Sequence, residues 1–231
     1  MKKIMLSVLT VALMVGCRSV ENGAVVPFNV HSRGEIPAKK IKLINDDDKT
    51  MFEGRTVSFS PLKPTIFQKS DLFFVATRGM SPSFSIAVPK GSDIALMMTG
   101  NIKLVNEIIK KEGFDVNKME SSQIKELVID CFNLITCEGE FIVKSIKDMD
   151  YNTNLSKDVK RKAEAEKLLG KVIKPMRVVK KDHKAIVEFY FVKDQDIVKR
   201  TVTLNQDGTI DPKSIKDEVV GKDLAPWHRG F

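Results

Sequence analysis

The chain has 231 residues, of which 42% are hydrophobic and 29% are charged, with 38 basic against 30 acidic side chains. This length and apolar content suit one globular domain or two small ones and exclude a disordered chain, while thirteen Gly and nine Pro exclude a collagen-like or low-complexity polymer. No apolar run reaches the roughly 18 residues that a membrane-spanning helix needs.

The N-terminal residues have the pattern of a secretory signal peptide. Lys2 and Lys3 precede an apolar stretch over residues 4–15. As a helix this stretch extends roughly 18 Å, which is too short for a bilayer core of about 30 Å. A short apolar segment behind two lysines is typical of a signal peptide that is removed from the mature chain.

A second motif ends this segment. Met14-Val15-Gly16-Cys17 resembles the lipobox of bacterial lipoprotein precursors, and the resemblance covers residues 1–17 only. It implies that the Cys17 thiol receives a diacylglyceryl group, that residues 1–16 are cut away, and that fatty acids such as palmitate hold the chain on a membrane without crossing it. In that family an aspartate directly after the cysteine favours retention at the inner membrane, so the resemblance with Arg18 at this position implies the outer membrane, facing the periplasm. In a bacterium without an outer membrane, it implies the outer face of the cytoplasmic membrane.

Positive charge is concentrated in one part of the chain. Residues 157–200 hold 14 basic and 7 acidic side chains, whereas residues 17–156 are balanced. Because a cationic surface attracts anionic lipid headgroups and acidic glycans, this segment is a candidate contact with either. Nucleic acid is not an expected partner of an exported lipoprotein, and the alternative interpretation is an ordinary solvated surface.

The chain divides into four predicted parts. They are a signal peptide over 1–16, the lipidated cysteine and a flexible tether over 17–49, a single α+β domain over 50–211, and a C-terminal tail over 212–231. Residues 41–44 are alternatively a short edge strand, and the tail contains Trp227, which either docks into a partner or folds back on the domain.

The first part of the domain has a β pattern. Alternating residues over 56–59, an apolar run over 72–76 and a shared apolar face at Phe84, Ile86 and Val88 predict strands. Residues 94–99 are compatible with a further strand or with a helix capped by Ser92.

Capping residues and helical periodicity predict three helices. They are a helix over 102–112 between the cap Asn101 and Gly113, a second capped by Ser121 or Ser122, and a charged third from Asn154 or Ser156 to about Gly170. Phe141, Val143 and Ile146 predict a strand between the second and the third helix.

The last third predicts an antiparallel meander of strands over 176–181, 184–193 and 197–205. Each strand has one apolar face, which must pack against the preceding helices, so the predicted fold is α+β with an N-terminal β-rich portion. The element order is loosely similar to cystatin-like domains and to domains like nuclear transport factor 2, a likeness that implies no function.

Few side chains indicate catalysis or metal binding. His31, His183 and His228 are far apart in sequence and lack zinc-ligand spacing. The run Asp46-Asp47-Asp48 lacks spaced oxygen ligands, and residues 205–211 resemble the centre of a calcium-binding loop without its first acidic ligand or its bidentate Glu. Turns are the preferred interpretation of both, and neither a metal nor another cofactor is predicted.

Cys131 and Cys137 are the cysteines left to pair once Cys17 is lipidated, and an exported compartment permits a disulfide. The bond is possible if the helix that carries Cys131 stops by about residue 135. If the helix continues, the two cysteines lie about 9 Å apart along its axis and cannot join. The alternative is a buried, inert Cys131 thiol.

The favoured hypothesis is a non-enzymatic envelope lipoprotein with a binding or scaffolding role. The alternative is a lipid-anchored hydrolase whose active site is assembled from dispersed residues. A pocket that places His183 beside a carboxylate or a cysteine would favour the hydrolase, and a groove or basic face without such a cluster would favour the binding protein.

Overall fold

The computed structural model describes residues 25–27, 31–33, 40–42, 56–62, 65–77, 80–136 and 140–226. These residues form two β-sheets and three α-helices, which confirms the predicted α+β class. A chain that starts at Arg18 contains all of these elements and all of the hydrophobic clusters that they bury.

The first sheet has seven strands among the described residues. They are β1 Val25–Pro27, β2 His31–Arg33, β3 Lys40–Lys42, β4 Thr56–Pro61, β5 Ser70–Thr77, β6 Met80–Pro89 and β7 Ile94–Met97, in the order β1-β3-β7-β6-β5-β4-β2. The strand alternative for residues 94–99 is therefore the right one. The segment 17–49, predicted to be a tether, supplies β1, β2 and β3, and Ile41 is fully buried.

This sheet curls until its two edges approach each other. β1 and β2 form the opposite edges, yet only three residues separate them in the chain. The Cα atoms of Pro27 and His31 therefore lie at most about 14 Å apart. The enclosed side holds one hydrophobic cluster, formed by Ile41, Val57, Val75, Phe84, Ile86, Val88, Ala95 and Met97. The shared face predicted for Phe84, Ile86 and Val88 is confirmed.

The helices begin and end close to the predicted residues. α1 spans Ile102–Glu112, with the Asn101 Oδ1 accepting from the backbone of Leu104 at 3.1 Å and with Gly113 in the left-handed conformation. α2 spans Ser121–Ile135, but Glu120 caps it, through a reciprocal pair with Gln123, instead of Ser121 or Ser122. α3 spans Ser156–Leu169.

The second sheet has five strands among the described residues. They are β8 Phe141–Val143, β9 Arg177–Lys181, β10 Lys184–Lys193, β11 Asp196–Leu204 and β12 Lys216–Gly221. β11 pairs with one side of β10, and β8 and β9 pair with the other side, so β9 forms a free edge of the sheet. Ile146, predicted in a strand, begins a 3-10 turn over Ile146–Asp148 instead.

The described part of the segment 212–231 is not a free tail. β12 pairs antiparallel with β11, and the Tyr151 hydroxyl donates to the Leu224 carbonyl at 2.6 Å. Leu224 and Ala225 are buried in the cluster beneath α3. The domain therefore extends to residue 226, while Trp227 lies outside the described residues.

The second sheet separates two hydrophobic clusters. The face of β10 that carries Ala185, Val187, Phe189 and Phe191 packs against α1 and α2, which pack in turn against the first sheet. The opposite face, with Tyr190 and Val192, packs against α3. The layers therefore run from the first sheet through α1 and α2 to the second sheet and α3.

Arg200 shares the helix-facing side of β11 with Val198, Val202 and Leu204. Its guanidinium donates to both carboxylate oxygens of Asp217 at 2.7 and 2.6 Å and lies 4.5 Å from the centroid of the Phe191 ring. A planar guanidinium can satisfy both contacts at once, which lets a charged residue lie on an apolar face.

Candidate functional site

An open groove of about 530 Å³ lies beside the free edge of the second sheet. A groove of this size can hold a small ligand or one unit of a polymer. Its walls come from the start of α2, from the connector that follows α3, and from β9 and β10. The lining residues are Ser121, Lys125, Lys174, Pro175, Met176, Arg177, Val178 and Glu188.

Local structure brings these residues together from distant parts of the chain. Lys125 follows Ser121 by one helical turn, so both side chains lie on one side of α2. The Lys180 Nζ of β9 donates to the Met119 carbonyl in the loop before α2. This contact holds the edge strand against the N-terminal end of the helix and keeps the two walls of the groove in place.

The groove is cationic. Within the described part of the chain, Lys125, Lys174 and Arg177 have no ion-pair partner. The carboxylate in the groove, Glu188, is paired with Lys199 at 2.8 Å, and this hydrogen bond raises the pKa of Lys199. Because Glu188 is already neutralised, the three cations are free to attract an anion.

The groove continues onto the outer face of the β9–β10 hairpin. Three cross-strand pairs follow one another there: Arg177 with Glu188, Val179 with Ile186, and Lys181 with Lys184. Asp182 and His183 have positive φ values of 51° and 61°, which are typical of a two-residue type I′ turn. His183 therefore lies exposed at the tip of the hairpin, and neither a histidine nor a cysteine lines the groove.

The other histidines do not join it. His31 lies on β2 in the first sheet, and His228 lies outside the described residues. Within the described ranges, no group of three or more His, Cys, Asp or Glu side chains is arranged to hold a metal ion. The run Asp46-Asp47-Asp48 lies outside the described residues.

The turn over 205–211 uses its oxygens internally. The Asp207 Oδ1 accepts from the backbone and the hydroxyl of Thr209 at 3.1 and 2.6 Å. The Asn106 side chain of α1 brackets the backbone of Ile210, accepting from its N–H and donating to its carbonyl at 2.8 Å each. The arrangement is that of a turn docked on α1.

Cys131 is fully buried in α2 and has no cysteine partner among the described residues, and burial raises the pKa of its thiol well above the ordinary range. A thiol in this state is a poor nucleophile. α2 ends at Ile135, as the disulfide requires, but Cys137 lies outside the described residues. The disulfide therefore stays a prediction, as does the lipidation of Cys17, which also lies outside them.

Sequence reasoning missed two residues near these elements. Lys125 lines the groove although it lies outside the basic segment 157–200. The signal available in the sequence was a basic residue one helical turn after Ser121, near the predicted start of the second helix. Asp130 accepts from the Thr65 hydroxyl at 2.6 Å and from the Ile66 N–H at 2.9 Å, while burial raises its pKa. Asp130 ties the loop before β5 to α2 and lies outside the groove.

Comparisons with family models, curated proteins and solved structures found no match to this chain. The loose similarity of element order to cystatin-like domains stays a prediction. Among the described helices, none combines the length and the apolar character that a membrane span requires.

Proposed function

We propose that this chain is a non-enzymatic bacterial envelope lipoprotein that binds an anionic component of the envelope, either lipid or glycan. Acyl chains on Cys17 hold it on the outer membrane facing the periplasm, or on the outer face of the cytoplasmic membrane in a bacterium with one membrane. The anchor rests on the lipobox-like Met14-Val15-Gly16-Cys17, and the binding role rests on the groove.

One observation carries the binding role: Lys125, Lys174 and Arg177 converge on one open groove without ion-pair partners among the described residues. Unpaired cations that line one groove give it a positive potential, which attracts an anionic ligand. The carboxylate in the groove, Glu188, is already paired with Lys199, so the groove offers cations to an anion, which supports a binding role.

The anchor is tested by replacing Cys17 with alanine in the full chain. Radiolabelled fatty acid should be incorporated into the unsubstituted chain and not into Cys17→Ala. Label retained by the variant would contradict the assignment of the acylation site.

The groove is tested with the chain that starts at Arg18, which keeps every described residue. Binding to heparin and to vesicles with anionic lipid should weaken steeply as salt rises, because salt screens exposed charges. Neutralising Lys125, Lys174 and Arg177 to glutamine should weaken binding to whichever of the two is the ligand. Lys90→Gln with Lys103→Gln, exposed positions outside the groove, is the control and should leave binding unchanged. Equal effects of the two variants would refute the groove.

A further inference from the structure

Exposed apolar side chains and basic side chains occur in the same stretch of chain. Among the described residues, seven large hydrophobic side chains are exposed, and six of them lie within residues 155–186: Leu155, Val159, Leu168, Val172, Val179 and Ile186. The same stretch has eleven basic and four acidic residues, which accounts for the whole surplus of positive charge in 157–200.

The exposed apolar residues share one layer of the domain, which we call the outer layer: α3 with its N-cap Leu155, the connector 170–176 and the outer face of β9–β10. α3 packs against the face of β10 that carries Tyr190. Ile186 precedes Tyr190 by four residues in the same strand, so both side chains lie on that face, and Val179 is the cross-strand partner of Ile186. The outer layer is on the far side of the second sheet from α1 and α2.

Val179 and Ile186 form the apolar centre of the hairpin face. Each is 39% exposed, so part of this apolar cross-strand pair is in contact with solvent. The exposed pair Lys181 and Lys184 lies next along the strands, about 7 Å away, and Arg177 lies at a similar distance on the other side. Two apolar side chains therefore lie between cations whose long stems can reach past them.

We propose that the outer layer is a contact surface for an anionic lipid bilayer, separate from the acyl anchor on Cys17. The inference rests on the proposed function and selects lipid from the two anionic ligands considered there. A bilayer presents negative headgroups above an apolar interior, so it can neutralise the cations and cover the apolar side chains together. An acidic glycan can neutralise the cations but leaves Val179 and Ile186 in water.

The experiment uses the chain from Arg18, which has no acyl anchor and keeps every described residue. Its binding is measured on vesicles of phosphatidylcholine alone, on vesicles that also contain phosphatidylglycerol, and on heparin as a soluble acidic glycan. We expect binding to the anionic vesicles, little binding to the neutral ones, and weaker binding to heparin at the same salt concentration.

Two test variants, each with a control variant, separate the apolar contribution from the charge. Val179→Thr with Ile186→Thr keeps β-branched side chains and should weaken vesicle binding about tenfold without changing heparin binding. Val219→Thr, exposed on the other face of the sheet, should change neither. Lys181→Gln with Lys184→Gln should weaken vesicle binding about 30-fold, whereas Lys90→Gln with Lys103→Gln should not.

Hydrogen exchange of the unsubstituted chain provides a readout that needs no variant. Anionic vesicles should slow exchange in the hairpin 177–188 and leave α1 unchanged. The lipid assignment is overturned if the threonine variant binds vesicles as tightly as the unsubstituted chain, or if exchange in the hairpin is unchanged. If heparin binds as tightly as vesicles and only the lysine variant weakens both, the anionic-ligand function stands and the lipid inference fails. Binding to neither ligand overturns both proposals.

Discussion

Replacing Gly208 by alanine should destabilise the fold by about 3 kcal/mol, although the change adds a single methyl group. Gly208 has a φ of 81° and is buried where the turn over 205–211 meets the helices. A Cβ atom there would lie 3.1 Å from the Phe114 Cβ and 3.3 Å from both the Ile109 Cγ2 and the Leu127 Cδ2. The substitution therefore meets both a backbone and a packing penalty.

The two penalties can be estimated separately. A left-handed φ disfavours an L-residue with a Cβ by about 1 kcal/mol. Moving close-packed core atoms by a few tenths of an ångström costs about 2 kcal/mol more, within the range for overpacked cores. Gly91 isolates the first penalty, because its φ is 80° and no atom lies within 4 Å of its Cβ position. Gly91→Ala should therefore cost about 1 kcal/mol.

Urea unfolding of both variants, followed by circular dichroism, measures the difference. Each substitution has the same effect on the unfolded chain, so that effect cancels when the two free energies of unfolding are subtracted. We expect Gly208→Ala to be less stable than Gly91→Ala by about 2 kcal/mol. Equal losses would show that the turn does not pack against α1 and α2 as described.

Three further predictions concern Asp130, Tyr151 and the pair of cysteines Cys131 and Cys137. Asp130→Asn keeps an oxygen that can accept the bonds from the loop before β5 and removes a half-buried charge, so it should be more stable than the unsubstituted chain at neutral pH. Burial raises the pKa of Asp130. The unsubstituted chain should therefore lose stability as the pH rises from the ordinary carboxyl pKa through that raised pKa. Urea unfolding measured over the same pH range should show no such loss for Asp130→Asn. Tyr151→Phe leaves the Leu224 carbonyl without its donor and should cost about 1 to 2 kcal/mol in the same assay, and no loss would contradict the buried bond. Thiol titration of the denatured chain from Arg18, without reductant, should find no free thiols if Cys131 and Cys137 are bonded, and two would refute the disulfide.

The helices and the meander could be predicted because their signals act over a few residues. The cap at Asn101 and the left-handed Gly113 depend on backbone groups within one turn of the helix. The alternation of apolar and polar residues over 184–193 places them on two opposite faces of a strand, whatever that strand packs against. β10 spans the same residues in the structure. The predicted cap of α2 was wrong by one or two residues, because the Glu120 side chain can accept a backbone hydrogen bond as Ser121 or Ser122 would.

The strands β1, β2 and β12 could not be predicted, because the first two are very short and the last begins with charged residues. β12 begins Lys216-Asp217-Glu218, and its place in the sheet depends on pairing with β11 and on the bond between Arg200 and Asp217. β1 and β2 have three residues each, and partners elsewhere in the chain complete their hydrogen bonds. Pairing over such distances leaves no local periodicity.

The sequence by itself determined the charge surplus, the lipobox-like motif and the order of most elements, since these depend on composition and short-range spacing. Only the tertiary structure decided that Lys125 meets Lys174 and Arg177 in one groove, because about fifty residues separate them in the chain. It also decided which apolar side chains stay exposed. Val179 and Ala185 both lie on β strands, but Ala185 faces α1 and α2 and is fully buried. Val179 lies on the opposite face and stays 39% exposed, because α3 packs on the part of that face that carries Tyr190 and Val192.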